Sequence, residues 1–141
     1  MATAEFAIDL RGGADEEGFR RYAPGESIEG VIHVVPDDTV ECRHLWVRLV
    51  WHTEGRGTRD SGRAGQVDIF RGSLRGGEER AFDFRLTAPR EPWSFAGRLV
   101  SIVWEVEADL DVPWSRNPRF RQRFIVAPPW HADLDSLRAT L

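Results

Sequence analysis

Residues 101–111 read SIVWEVEADLD, and residues 119–126 read RFRQRFIV. In the first stretch Ile102, Trp104, Val106, Ala108 and Leu110 alternate with Val103, Glu105, Glu107 and Asp109. In the second, Phe120, Phe124 and Val126 alternate with Arg119, Arg121, Arg123 and Ile125. A period of two is the signature of strands with one face buried. If the two stretches form an antiparallel hairpin, a single register sets Asp109 opposite Arg119, Glu107 opposite Arg121 and Glu105 opposite Arg123. That register also sets Ala108 against Phe120 and Trp104 against Phe124 on the other face. Each such pair contributes only about 0.2–1 kcal/mol, so their main effect is to choose the register. A slip of one residue would turn the charges inward.

The same alternation recurs along the chain, in Phe6 to Leu10, Ile28 to Val34, Leu45 to Trp51 and Phe82 to Leu86, with a weaker strand around Val67 to Phe70. Turn signals separate these runs at Pro24-Gly25, Pro36-Asp37-Asp38, Gly76-Gly77, Pro89 to Pro92 and Asn117-Pro118. Seven strands with no helical stretch between them predict an all-β, antiparallel, immunoglobulin-like sandwich. The sandwich is expected over residues 1–127, followed by a C-terminal tail, 128–141. In that tail Asp133 could cap a short helix carrying Leu134, Leu137 and Leu141; a frayed end is the alternative. The Gly- and Arg-rich stretch from Glu54 to Gly65 reads as a mobile loop.

Composition narrows the function. A chain of 141 residues suits one domain, and its 41% hydrophobic and 30% charged residues are ordinary for a globular one. No run is long and apolar enough to span a bilayer, and the first residues lack the pattern of a signal peptide. Membrane insertion is therefore not expected. The lone Cys42 cannot form an internal disulfide, which suits a cytoplasmic setting. A net charge of −4 disfavours capture of nucleic acid or anionic lipid. All nineteen basic residues are arginine, which fits a bacterial genome of high GC content.

Tyr22 to Val34, YAPGESIEGVIHV, combines an aromatic residue, a Pro-Gly-Glu turn and a Gly four residues after the Glu. It resembles the start of the second strands of arrestin-fold proteins. HLWVRLVW, His44 to Trp51, is similar to the long central strand that follows there. Phe82 to Pro113 resembles the next block of that family, with a strand ending in Pro, a Pro-x-Ser-aromatic-x-Gly loop and a long hydrophobic strand. The resemblance covers about residues 4–127, which corresponds to one lobe of a fold that normally has two. It extends to bacterial sporulation-control-like proteins of the same fold. It implies a non-catalytic protein-binding role, and the missing second lobe leaves homo-oligomerisation or a separate partner open. The polar core and phosphate sensor of the receptor-binding arrestins are not matched, so neither function is carried over.

The residues themselves offer little chemistry. Pro24 and Gly25 suit a type II turn, and Gly30 suits a bulge or a close backbone approach. His33, His44 and Cys42 would come together only if their strands paired through the Pro36 to Thr39 turn, and three ligands fall short of a closed zinc site. No metal or cofactor is expected. Ser94, Ser101 and Ser115 lack a nucleophile-elbow context, and the Glu105, Glu107, Asp109 stripe is already matched by arginines, so no catalytic residue is assigned. The short Arg-Gly runs read as hairpin turns.

The excess of tryptophan is the most informative feature. Trp104 and Trp51 have core parity, Trp46 has outward parity, and Trp93, Trp114 and Trp130 fall in loops or the tail. Trp93 and Trp114 could equally plug the ends of the sandwich. The expected interaction residues are Trp46, Arg48, Val50, Trp93 and Trp114, serving a protein partner at an aromatic patch or at an open sheet edge. The alternative is a carbohydrate-binding sandwich that stacks sugar rings on exposed tryptophans.

Overall fold

The computed structural model describes residues 2–57 and 59–130. The tail helix expected after Asp133 lies outside these residues. Twelve strands follow in order: β1 (Ala4–Arg11), β2 (Ala14–Glu16), β3 (Phe19–Tyr22), β4 (Ser27–Pro36), β5 (Val40–Cys42), β6 (His44–Gly55), β7 (Ser61–Asp68), β8 (Gly72–Leu74), β9 (Arg80–Thr87), β10 (Phe95–Ala96), β11 (Val100–Asp111) and β12 (Arg119–Val126). Seven of them have eight residues or more and answer the seven expected from alternation. The short strands extend sheet ends and corners.

One sheet has the order β1-β4-β9, the other β2-β3-β12-β11-β6-β7, and β5 pairs with β8 at one end. The β11–β12 register is the one the charges imply, with Asp109 opposite Arg119 and Trp104 opposite Phe124. Between the sheets lie Tyr22, Ile28, Ile32, Val47, Leu49, Trp104, Val106 and Phe124, all essentially without exposure. The two large polar tips in this core are satisfied. The Tyr22 hydroxyl donates to the Arg11 carbonyl at 2.8 Å, and the Trp104 indole N–H donates to the Pro92 carbonyl at 2.7 Å. A second cluster around Val34, Cys42, Leu45, Leu74 and Leu110 fills the end closed by β5 and β8.

The Pro24-Gly25 turn forms as its residues dictate. Gly25 takes a φ of +83°, and the Glu26 amide donates to the Ala23 carbonyl at 3.0 Å. The Glu26 carboxylate reaches back to the Ala23 amide at 2.7 Å, which locks the turn. Gly30 marks a close approach, since a Cβ there would stand 2.7 Å from the Asp9 carbonyl and 2.7 Å from the Phe84 ring.

Three expectations need correction. The stretch from Glu54 to Gly65 is no long loop, because β6 runs to Gly55 and β7 begins at Ser61. The inward positions of β7 are Gly62, Gly65 and Val67, so the strand carries almost no apolar signature. Gly62 lies directly beneath the Trp51 indole, where no side chain would fit. The weak strand accordingly begins earlier and ends at Asp68, not at Phe70. Finally, the sandwich is not wholly antiparallel, because β12 pairs with β3 in parallel at Ile125–Arg21 and Val126–Tyr22.

Candidate interaction surface

The outer face of the larger sheet is set by the pairing of β6 with β11, which joins His44–Gly55 to Val100–Asp111 in one unbroken register. Because side chains alternate, His44, Trp46, Arg48, Val50 and His52 all point outward from β6. Trp46 sits beside Asp109, Arg48 beside Glu107 and Val50 beside Glu105. On the far side of these acids, one strand on, lie Arg119, Arg121 and Arg123.

This register produces an ion-pair lattice. Arg48 Nη1 lies 2.6 Å from Asp109 Oδ2 and 3.5 Å from Glu107 Oε1. From the other side, Arg121 Nε donates to Glu107 Oε2 at 2.9 Å and Arg119 Nε stands 3.3 Å from Asp109 Oδ2. Farther along, His52 stands 3.3 Å from Glu105 and 3.5 Å from Glu54, its Nδ1 making no hydrogen bond among the described residues. The arginine stems cover the acids, so Glu107 and Asp109 are only 4% and 2% exposed although they face away from the core. Asp109 Oδ1 has no hydrogen-bond partner in this setting. Buried acids of this kind depend on their cations, because an unpaired buried charge is costly.

Arg48 is therefore mostly covered, its side chain 13% exposed, and it organises the face more than it reaches out from it. Its guanidinium also lies 5.4 Å from the Trp46 ring centre, and the His44 ring stacks on Trp46 at 4.9 Å. Asp68 holds His44 Nδ1 at 2.6 Å. Trp46 is thus a half-buried ring fixed in one orientation, with Val50, also half-buried, farther along the same face.

Of the remaining expected residues, Trp93 lies away from this patch. Trp114 follows β11 with a φ of +62° and is fully exposed, so it plugs nothing. Trp93 lies at the opposite end of β11, roughly 30 Å away at about 3.3 Å per strand residue. It is half-buried, its indole N–H donating to the Arg90 carbonyl at 3.0 Å, and it packs edge-on against Trp130 at 5.5 Å. Trp46 and Trp93 share no platform, because Trp46 lies opposite Asp109 and Trp93 lies near Ile102. Trp51 is half-buried against the core, and Trp104 is wholly inside it.

His33, His44 and Cys42 do not converge, because β4 pairs with β1 and β9 while β6 pairs with β11 and β7. Burial pushes the Cys42 thiol up to about 12, with the nearby Asp68 carboxylate adding to it, so the thiolate needed for metal binding or nucleophilic attack is suppressed. Ser94 is buried, its hydroxyl accepting from the Val126 amide at 3.0 Å, which is a structural use.

A cleft of about 290 Å³ lies where β12 changes partner, and no single stretch of sequence announces it. β12 leaves β11 after Phe124 to pair with β3, and β10 takes its place with Phe95 beside Ile102. Phe19, Phe95, Ile102 and Ile125 line the cleft, with Glu54 and Arg123 at its rim. Among the described residues no helix is long and apolar enough to cross a membrane.

No protein-family model matches the chain, and no curated protein matches it. Among solved structures it is similar to Spo0M, the sporulation control protein from Bacillus subtilis, with a TM-score of 0.69 and 22% identity. The match covers 96% of this chain and 53% of that one, so this chain spans about half the length of the solved protein. Such a likeness speaks for the fold alone, and it agrees with the motifs at Tyr22 to Val34 and Phe82 to Pro113: the chain has the fold of an arrestin lobe.

Proposed function

We propose that this lobe is a non-catalytic adaptor module that binds a protein partner on the outer face of β6, around Trp46, in a bacterial cytoplasm. The observation that carries the reading is the fixed Trp46 ring, packed against His44 and Arg48 and underpinned by buried Asp109. Tryptophan and arginine are the residues that dominate binding energy at protein interfaces, and a ring held in one orientation loses little entropy on docking.

The sugar-binding alternative would use exposed tryptophans such as Trp114, and Trp93 lies near Ile102, away from Trp46.

The test is affinity capture from the native host with wild-type protein and with Trp46→Ala and Val50→Glu. Both variants should keep the far-ultraviolet spectrum of the wild type and lose the same partner. A partner retained by both would place binding elsewhere, and a lobe that captures nothing at micromolar concentration would contradict the adaptor role.

A further inference from the structure

The three-stranded sheet ends on β9, whose sequence is RAFDFRLT. Its far side makes no strand pairing among the described residues, although Leu86 comes close to Gly65 of β7 there, and natural proteins usually blunt such edges with charges, prolines or bulges. The other sheet's β7 edge is blunted in this way, by a bulge opposite Leu49 and Val50. β9 has no proline, lysine or bulge, and its outward charges, Asp83 and Arg85, are of opposite sign. Beyond its end, the Ala88 amide donates to the Glu26 carbonyl at 2.7 Å, toward β4. Bonding alternates along an antiparallel pair, so Ala81, Asp83, Arg85 and Thr87 turn their N–H and C=O groups to the open side.

We propose that the chain forms a two-fold symmetric dimer by antiparallel pairing of β9 with β9 of a second copy, centred on Phe84. This rests on the β9 sequence and does not depend on the Trp46 reading. In this register Asp83 faces Arg85 of the second copy, and by symmetry Arg85 faces the second copy's Asp83. On the inner face Phe84 meets its own counterpart, and Phe82 meets Leu86 of the second copy. About eight backbone hydrogen bonds close the seam. A slip by one residue along β9 would break the match of faces. The next two-fold registers that keep it centre on Asp83 or on Arg85, and each sets like charge on like charge.

The neighbouring strand extends the pattern. Glu29 of β4 is paired with Arg85, and its carboxylate lies 3.3 Å from the Arg85 Nε. The Ser27 hydroxyl accepts from the same nitrogen at 2.8 Å. Arg85 is thereby held on the outer face, where it would lie between its own Glu29 and the second copy's Asp83. The β1 edge offers a weaker match, since self-pairing centred on Ile8 would set Ala7 against Asp9.

Sedimentation equilibrium from about 1 to about 200 µM tests this, with circular dichroism to confirm that each variant is folded. Wild type should dimerise. Arg85→Asp and Asp83→Arg each set like charges at both outer pairs and should weaken the dimer by about tenfold or more. An equimolar mixture of the two variants again sets acid against base at both pairs and should dimerise. The double variant Asp83→Arg/Arg85→Asp should also dimerise alone. Wild type that stays monomeric at about 200 µM, single variants that dimerise as well as wild type, or a mixture that fails to recover would each overturn the proposal.

Discussion

Replacing Arg48 by methionine keeps an unbranched apolar stem and removes the cation between Asp109 and Glu107. Arg48 Nη1 is the closest cationic partner of Asp109, at 2.6 Å, and Asp109 is 2% exposed. Breaking a buried pair from one side costs about 3–5 kcal/mol. The lower end applies here, because Arg119 and Arg121 still reach the two acids. A loss of about 3 kcal/mol corresponds to a fall in melting temperature of roughly 10 °C for a chain of this size. Urea unfolding followed by tryptophan fluorescence should show that loss as a shift in midpoint at constant slope. Arg48→Met/Asp109→Leu removes the uncompensated acid as well, and should recover to within about 1 kcal/mol of wild type. An Arg48→Met variant within about 0.5 kcal/mol of wild type would refute the dependence of the acids on Arg48. A double variant as unstable as the sum of the single ones would refute the coupling.

Three further outcomes follow from the core and its turns. Gly30→Ala should cost about 1–3 kcal/mol in thermal unfolding, since the new methyl group meets the Asp9 carbonyl and the Phe84 ring; a change under about 0.5 kcal/mol would contradict that packing. Tyr22→Phe should cost about 1 kcal/mol by leaving the Arg11 carbonyl without its donor, as a denaturation midpoint would show. Stability should also fall as pH rises from about 9 to about 12. Burial pushes Tyr22 and Cys42 up to about 12 in the folded chain, against 10.0 and 9.0 otherwise, so the unfolded chain releases these protons first. No lysine obscures the trend, since every basic residue is arginine. Melts across that range should decline less steeply for Tyr22→Phe/Cys42→Val, and an unchanged slope would assign the alkaline loss to other groups.

The parts of the fold that were legible in the sequence are those with a local, two-sided code. The β11–β12 hairpin writes charge on one face and aromatic residues on the other, so its register can be read without coordinates. The Ala23 to Glu26 turn is similarly explicit, because Pro24 and Gly25 each demand one backbone geometry. β7 was hidden because its inward positions are glycines that make room for Trp51. The role of Arg48 was hidden for a different reason. Its acid partners lie on β11, far along the chain, and nothing in either strand alone specifies that β6 pairs there. Exposure of Trp114 and partial burial of Trp93 depend on where the strand ends lie, and parity cannot report that. The cleft at Phe19 and Phe95 exists only because β12 changes partners, a property of the assembled sheet.

If the Trp46 face holds a protein, a photocrosslinking residue in the native host tests it most directly when it is placed at position 66, where exposed Gln66 lies beside Arg48 and leaves the Trp46 ring intact. A matched probe at position 7, where exposed Ala7 lies on the outer face of the opposite sheet, serves as the control. A discrete protein adduct at position 66 and none at position 7 is the expected result. Equal labelling at the two positions, or an adduct at position 7 alone, would contradict it.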